Sequence, residues 1–447
     1  MKTYAGYETQ FTNDDSQLTD IVVGFDFGAS CSKIILRTPS IREEFFVVPF
    51  SDKVEGELKY LFPTKIYYHE DSLQISLLKF DGAESKEHLK LRCLRSSRDN
   101  PLSERCKFTA KELTVAYIAN VLQHIRAWFL TEHQNGYKQY KLYWRFNFGY
   151  PSGRFPKNYT ADFSFFAKAG WWLSLQKEIT LENASLALRN VHNLDFNCGL
   201  ERDDINILSE IAATITGYAK SNYRKDGLKL LVDVGASTLD IAAFELHRKD
   251  GDDIYSVLES DVQLLGAFLL YERKLQIILE RIRKHFNHIH LNADIYKPVP
   301  EDIKIDWNKV CEIDPFNIDI FQKAKKMIKK IIIQLKRNLD PLSPAWHDGL
   351  PLFLSGGGKN LFFYKRVLSD VEVEMRYHHE FKKFVEPPNP IKLGKDFNDS
   401  SRFLVAFGLS YPPEEIGEIR EPDKIKKIKR LVRNKYEGIE MWGKEVE

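Results

Sequence analysis

The sequence has no long apolar segment and no cysteine pattern typical of a zinc site or a disulfide framework. Its 447 residues include no run of about 18 apolar residues, the length needed to cross a bilayer. The N-terminal residues are too polar for a signal peptide. The five cysteines are odd in number and never form a CxxC pair. We therefore predict a cytoplasmic protein with neither structural disulfides nor a zinc ribbon.

The chain also lacks an excess of charge of either sign. Lysine and arginine total 65 against 63 aspartates and glutamates, which gives a formal net charge of +2. This balance predicts neither a nucleic-acid-binding protein nor a membrane-surface protein. With 43% hydrophobic and 13% aromatic residues the chain can form packed cores, and its length favours two or more domains.

One pattern, Asp-x-Gly-Ala-Ser, occurs twice. Asp26–Ser30 reads DFGAS and Asp233–Ser237 reads DVGAS, and each copy lies between two apolar segments that predict strands, so both predict hairpin turns. Glycine and small side chains leave backbone N–H groups open to phosphate oxygens. An aspartate beside phosphate implies a divalent cation such as Mg²⁺. Taken singly, either copy also fits an ordinary hairpin turn.

A third glycine-rich segment, Leu352–Asn360 (LFLSGGGKN), lies between a predicted strand and a predicted helix. It matches neither the Walker A pattern nor GxGxxG. Three glycines before a helix N-terminus nevertheless allow a planar ligand or an anion to approach closely. Predicted strands and helices recur in the same order in both halves of the chain, which indicates a duplicated α/β domain.

Together, these segments resemble the actin, sugar kinase and DnaK-type heat-shock chaperone superfamily of ATPases, and the motifs are closest to the DnaK-type nucleotide-binding domain. GFDFGASCSK is similar to its first phosphate motif, LLVDVGASTLDIAAF to its second and LFLSGGGKN to its adenosine motif. INILSEIAATITGYA and RFLVAFGLS are similar to its connecting segments. The resemblance implies an α/β protein with a duplicated ribonuclease H-like (actin-like ATPase) fold. It also implies two lobes around a nucleotide cleft, with ATP or ADP and Mg²⁺ as cofactors.

The resemblance also implies domain boundaries. Residues 21–217 together with 401–420 are expected to form lobe I, and residues 218–400 to form lobe II. Residues 1–20 are expected to be a flexible tail, and residues 421–447 a charged C-terminal helix.

In the first half of the chain, the resemblance implies roles for residues near the beginning and near the end of the segment 21–217. Asp26 would order water around the metal, and Glu210 matches the family glutamate that positions water and Mg²⁺. Alanine stands at position 29, where the chaperones have a hydroxyl, which implies slow hydrolysis. The implied phosphate contacts are Gly28, Ala29, Ser30 and Lys33.

In the second half, Asp233 would activate or orient the attacking water. With Asp26 and Asp240 it would hold the metal, mostly through water. The implied phosphate loop is Gly235, Ala236, Ser237 and Thr238. Further nucleotide contacts are expected at Gly356, Gly357, Gly358 and Lys359, and in the adenosine helix at Lys325 and Lys326.

Three functions remain open from the sequence. An ATPase switch that acts on an unidentified protein partner is favoured, because the 37 residues after Ser410 (447 − 410) are too few for a chaperone's peptide-binding domain. A polymerising actin-like protein, which would bind copies of itself, is the second. A small-molecule kinase is the third, and it would need a catalytic-base aspartate that no recognisable motif supplies.

Overall fold

The computed structural model divides the chain into two compact units. Unit 1 comprises Met1–Arg224 and Val385–Ile416, and unit 2 comprises Lys225–Phe384 and Gly417–Glu447. Most of the predicted C-terminal helix, 426–447, lies outside the described residues. The described residues are 2–11, 17–40, 43–51, 56–69, 71–95, 99–102, 106–153, 159–192, 204–221, 224–250, 252–285, 319–382 and 400–425.

The longer strands form from segments rich in β-branched and aromatic residues, which suit a pleated and half-buried surface. In chain order the strands are β1 (Gln17–Asp26), β2 (Cys31–Thr38), β3 (Glu44–Val47), β4 (Phe62–Pro63), β5 (Lys65–Tyr68), β6 (Ile75–Ser76), β7 (Glu84–Glu87), β8 (Tyr140–Tyr150), β9 (Ile205–Ser209), β10 (Gly227–Val234), β11 (Leu239–Lys249), β12 (Asp252–Gln263), β13 (Leu350–Ser355), β14 (His379–Lys382) and β15 (Glu418–Arg420).

Where a helix has a side-chain cap, the residue just before the helix accepts one of its first backbone N–H groups. In chain order the helices are α1 (Leu89–Leu94), α2 (Ala110–Glu132), α3 (Gln134–Tyr137), α4 (Tyr159–Ser174), α5 (Leu181–Arg189), α6 (Glu210–Ala219), α7 (Ala267–His285), α8 (Asp319–Gln334), α9 (Ala345–Asp348), α10 (Phe362–Met375) and α11 (Leu404–Leu409). Within the described ranges, no helix combines the length and the apolar character needed to span a bilayer.

The main sheet of unit 1 has the strand order β3-β2-β1-β8-β9. Strands β1, β2 and β3 pair antiparallel, whereas β8 pairs parallel with β1 and β9 pairs parallel with β8. Alternate residues of β8 face opposite sides of the sheet. Phe146 contacts Trp171 of α4 at 5.7 Å between ring centroids, while Asn147 donates to Leu409 O of α11 at 2.7 Å. Helices therefore cover both faces of this sheet.

The main sheet of unit 2 repeats this arrangement. Its order is β14-β13-β10-β11-β12, with β15 beyond β12. Strands β10, β11 and β12 pair antiparallel, whereas β13 pairs parallel with β10 and β14 with β13. Helices α8 and α10 pack together, with Phe321 and Phe363 in edge contact at 5.6 Å. Each unit is therefore a mixed α/β structure, as the sequence predicts.

The N-terminal residues pack on unit 1. Tyr4 and Phe11 are each 6% exposed, and their rings meet edge to face at 5.6 Å. Trp144 Nε1 donates to Thr9 O at 2.9 Å, which ties the segment to β8. Burial of two aromatic rings offsets the entropy lost on ordering the segment. The expectation of a flexible tail at 1–20 is therefore corrected for the described residues of that range.

The boundary between the units also differs from the predicted lobes. Unit 2 begins at Lys225 instead of residue 218 and resumes at Gly417. The reason for the second shift is that β15 pairs in parallel with β12, so the chain rejoins the sheet of unit 2 before residue 420. The predicted lobe I segment 401–420 is thus divided between the two units.

Helices α6 and α11, both in unit 1, cross so closely that side chains are excluded at the crossing. A Cβ atom added at Gly408 would lie 1.8 Å from Ala213 O, and one added at Gly217 would lie 2.7 Å from Leu404 O. Real Cβ atoms do not approach backbone oxygens this closely, so both positions require glycine. Because α6 begins at Glu210, the crossing helps to fix that carboxylate in unit 1.

We expect Gly408→Ala to lower the free energy of unfolding by about 1–3 kcal/mol, since the added methyl group must push the two helices apart. Gly136→Ala is the matched control, because Gly136 is also helical but a Cβ there would meet nothing within 4 Å. Because alanine has a higher helix propensity than glycine, Gly136→Ala should leave the free energy of unfolding unchanged or raise it slightly. Urea unfolding of the two variants measures the difference, and equal midpoints would contradict the tight crossing.

Candidate functional site

The first Asp-x-Gly-Ala-Ser copy forms the predicted hairpin turn between β1 and β2, called here the first turn (Asp26–Ser30). Asp26 pairs in register with Lys33, and Lys33 Nζ lies 2.8 Å from Asp26 Oδ2. Asp26 is only 4% exposed, so the lysine compensates a nearly buried carboxylate. A Cβ added at Gly28 would lie 2.2 Å from Cys31 O, so this tight turn requires glycine.

Hydrogen bonds hold three consecutive carbonyl groups of the first turn. Thr64 donates its backbone N–H to Ser30 O at 2.8 Å and its hydroxyl to Gly28 O at 2.6 Å. His88 Nδ1 lies 3.3 Å from Ala29 O, and since a carbonyl oxygen only accepts, Nδ1 must carry the proton. In a trans peptide group the N–H points opposite to the C=O. The N–H groups of these three peptide units therefore point away from Thr64 and His88.

The second copy forms the same kind of turn between β10 and β11 of unit 2, called here the second turn (Asp233–Ser237). Its carbonyl oxygens accept the backbone N–H groups at the start of α7. A Cβ added at Gly266 would lie 2.5 Å from Ala236 O, so this close approach requires glycine. The bonded pairs are Gly235 O with Ala267 N (2.9 Å), Ala236 O with Phe268 N (2.9 Å) and Ser237 O with Gly266 N (3.1 Å).

In both turns, each N–H of the three peptide units therefore points away from the donor that holds the carbonyl of the same unit. Successive N–H groups that point to one side form the concave arrangement that binds anions in many proteins. The hydroxyl-bearing residues differ between the turns, because Ser30 is exposed whereas Ser237 and Thr238 are 2% and 5% exposed. The backbone, more than the serine side chains, is thus the common feature of the two turns.

The charged residues beside the two turns differ in a way that bears on metal binding. Asp26 lies opposite Lys33, whereas Asp233 lies opposite Asp240. Side chains at opposed positions of an antiparallel pair share one face, and like charges there are unfavourable. A hydrated Mg²⁺ fits this pair of carboxylates, because the ion is commonly bound by one or two carboxylates and phosphate oxygens. Among the residues that the structure describes, no cluster of three or more His, Cys, Asp and Glu could hold a metal.

The third glycine-rich segment, called here the glycine segment (Gly356–Gly358), folds directly against the second turn. Gly356 has a φ of +84°, and a Cβ added there would lie 2.2 Å from Asp233 Oδ1. Gly358 N donates to Val234 O at 2.9 Å, and Gly357 is exposed. The predicted second phosphate motif and the predicted adenosine motif are thus neighbours within unit 2.

The three predicted lysines of unit 2 lie in two different places. Lys359 follows the glycine segment, and its backbone N–H donates to Gly356 O at 3.3 Å. Lys325 and Lys326 lie on α8, where Lys325 forms ion pairs with Glu374 and, at 3.5 Å, with Asp370 of α10. Lys326 is exposed. Lys325 thus pairs with carboxylates of α10, and its adenosine role stays a prediction.

Glu210 begins α6 and forms an ion pair with Lys90 of α1. The two side chains are 12% and 3% exposed, so the pair is largely removed from water. Ser209 caps the helix, since its hydroxyl accepts Ala212 N at 3.1 Å. Neither Lys90 nor His88 was predicted from the sequence, because LKLRCL matches no motif. The only available signal was a lysine between two leucines in a short helix whose one other charged residue is Arg92.

His88 lies just before α1, so this short helix places one side chain on the first turn and another on Glu210. Burial lowers the pKa of the His88 imidazole, an effect larger than the opposing one of its contact with Ala29 O. His88 is therefore held in its neutral form near neutral pH, with its proton on Nδ1.

Comparisons with known proteins give no family for this chain. No family model matches it, and no curated protein is similar to it in sequence. The functional assignment therefore depends on the chemistry of the two turns, the glycine segment and the charged groups beside them.

We expect Gly356→Ala to destabilise unit 2 more than Gly227→Ala. Both glycines have positive φ, +84° and +94°, which costs an alanine about 1–2 kcal/mol. Only at Gly356 would the new methyl group also collide with Asp233 Oδ1 and with the backbone oxygen of Val234, at 2.3 Å, whereas a Cβ at Gly227 would meet nothing within 4 Å. The collision adds about 1–3 kcal/mol. Urea unfolding compares the variants, and equal losses would mean that the glycine segment does not pack on Asp233.

Proposed function

We propose that the protein binds ATP or ADP together with Mg²⁺ and hydrolyses ATP slowly, as a member of the actin- and DnaK-like ATPases. The observation that carries this proposal is the direction of the backbone N–H groups in the two Asp-x-Gly-Ala-Ser turns. Such groups suit phosphate oxygens, and enzymatic phosphoryl transfer depends mainly on positioning and on neutralising charge. The acidic groups beside the turns fit a magnesium-bound phosphate chain better than a free anion.

We propose that each unit has a ribonuclease H-like fold, so that the chain contains this fold twice. The support is that both main sheets have the same strand order and the same parallel and antiparallel pairs. In both units the Asp-x-Gly-Ala-Ser turn joins the first strand of the sheet to the second. The repeated turn therefore occupies the same topological position in each unit.

The proposed roles follow from the contacts of each side chain. Asp233 would accept a proton from the attacking water and orient the water toward the phosphorus. Lys33 would share its charge between Asp26 and phosphate oxygens. Lys90 would hold the Glu210 carboxylate in place, so that Glu210 can accept hydrogen bonds from water. Bound Mg²⁺ would neutralise negative charge on the phosphates.

Replacement of Asp233 by asparagine tests whether this residue acts in ATP hydrolysis or in nucleotide binding. We expect Asp233→Asn to slow ATP hydrolysis by about a hundredfold or more, since a residue that accepts a proton from water contributes about 10²–10⁴ in rate. The affinity for MgATP, measured by calorimetry, should change far less, because the carboxylate would act on the attacking water and would reach the metal mostly through water. Asp252→Asn is the control, since Asp252 is exposed at the start of β12.

Two results would contradict this proposal. Folded wild-type protein that shows no Mg²⁺-dependent binding of ATP or ADP would exclude a nucleotide site. Equal losses of binding and hydrolysis in Asp233→Asn would instead make Asp233 a binding or structural residue.

A further inference from the structure

The carbonyl groups of the two turns are held by different kinds of donor. In unit 2 the three carbonyl groups are held by backbone N–H groups at the start of α7, where the close approach requires glycine at position 266 but no side-chain donor. In unit 1 two of the three contacts use side chains, the Thr64 hydroxyl and the His88 imidazole. The first turn is therefore the one whose geometry depends on side-chain donors outside the turn.

Thr64 is buried next to the first turn. It is 1% exposed and lies between β4 and β5, and its neighbour Pro63 pairs with Cys31 at the start of β2. Its hydroxyl and its backbone N–H both donate to turn carbonyls, so one residue holds two of the three peptide groups. Valine at this position would keep the volume and the backbone donor and would remove only the hydroxyl donor.

His88 has a left-handed backbone conformation, with φ 54° and ψ 41°. This conformation costs a residue other than glycine about 1–2 kcal/mol. Strained residues persist where surrounding contacts determine them, and they cluster at functional sites. Here the strained residue aims its imidazole at Ala29 O, the one carbonyl of the three that Thr64 does not hold.

We infer that Thr64 and His88 are positioning residues that turn the N–H groups of the first turn toward the terminal phosphates of ATP. This inference rests on the proposed function. Neither residue needs to touch the nucleotide, because each acts through a carbonyl group on the opposite side of a peptide unit. The pair therefore determines affinity for a phosphate chain and leaves affinity for the remainder of the nucleotide unchanged.

Calorimetric titration with MgATP and with AMP tests this inference. We expect Thr64→Val to weaken MgATP binding about fivefold to tenfold, as the loss of one positioning hydrogen bond predicts. Binding of AMP, which lacks the terminal phosphates, should not change. Thr64→Ser keeps the hydroxyl and should restore MgATP affinity to nearly the wild-type value.

His88→Gly removes the imidazole while its backbone accepts the left-handed conformation without strain. We expect the same selective loss of MgATP affinity. Leu73→Gly is the matched control, because Leu73 also has a φ of 54° in unit 1 but makes no hydrogen bond with the first turn. Circular dichroism and thermal unfolding establish that each variant is folded.

The outcomes separate the inference from the proposed function. Wild-type protein that does not bind MgATP overturns both. Wild-type binding with unchanged affinity in Thr64→Val and His88→Gly overturns the inference alone. So does an equal loss for MgATP and AMP in folded variants, or a Thr64→Ser variant as weak as Thr64→Val, because each indicates a general structural role.

Discussion

The direction of a backbone N–H group is fixed by the carbonyl of the same peptide unit, since the trans peptide group is planar and rigid. Most features of the two turns depend on this constraint. In each turn three carbonyls are bound by donors of the same unit, and each N–H group must then point away from the donor of its own peptide unit. Glycine at 28 permits the tight first turn, and glycine at 266 lets α7 reach the carbonyls of the second. The carboxylates that flank each turn support the proposal that a phosphate chain binds there together with a divalent cation.

Local sequence predicted the parts of this arrangement that depend on neighbouring residues. The apolar strands and the repeated pentapeptide located both hairpins, and the glycine run located a turn between a strand and a helix. The residues behind the first turn could not be found in this way, because their partners are distant in sequence. Thr64 bonds Gly28 across 36 positions, His88 contacts Ala29 across 59, and Lys90 pairs with Glu210 across 120.

The N-terminal segment shows a second limit of local patterns. Its polar composition predicted a loose tail, whereas Tyr4 and Phe11 bury their rings in unit 1. Tyr4, Tyr7 and Phe11 stand at helical spacing (i, i+3, i+7), yet residues 2–11 form no helix, so periodicity does not account for the burial of Tyr4 and Phe11. Only the surface they pack on, which includes α2 through the bond from Tyr4 N to Thr131 Oγ1, explains their burial.

Hydrogen–deuterium exchange, with and without MgATP, tests most directly whether the N–H groups of both turns face phosphate. The peptides of interest cover residues 26–33 and 233–240, and adenosine serves as the ligand without phosphates. The account predicts that MgATP slows exchange in both peptides and that adenosine slows neither. Unchanged exchange in either turn at saturating MgATP would contradict it.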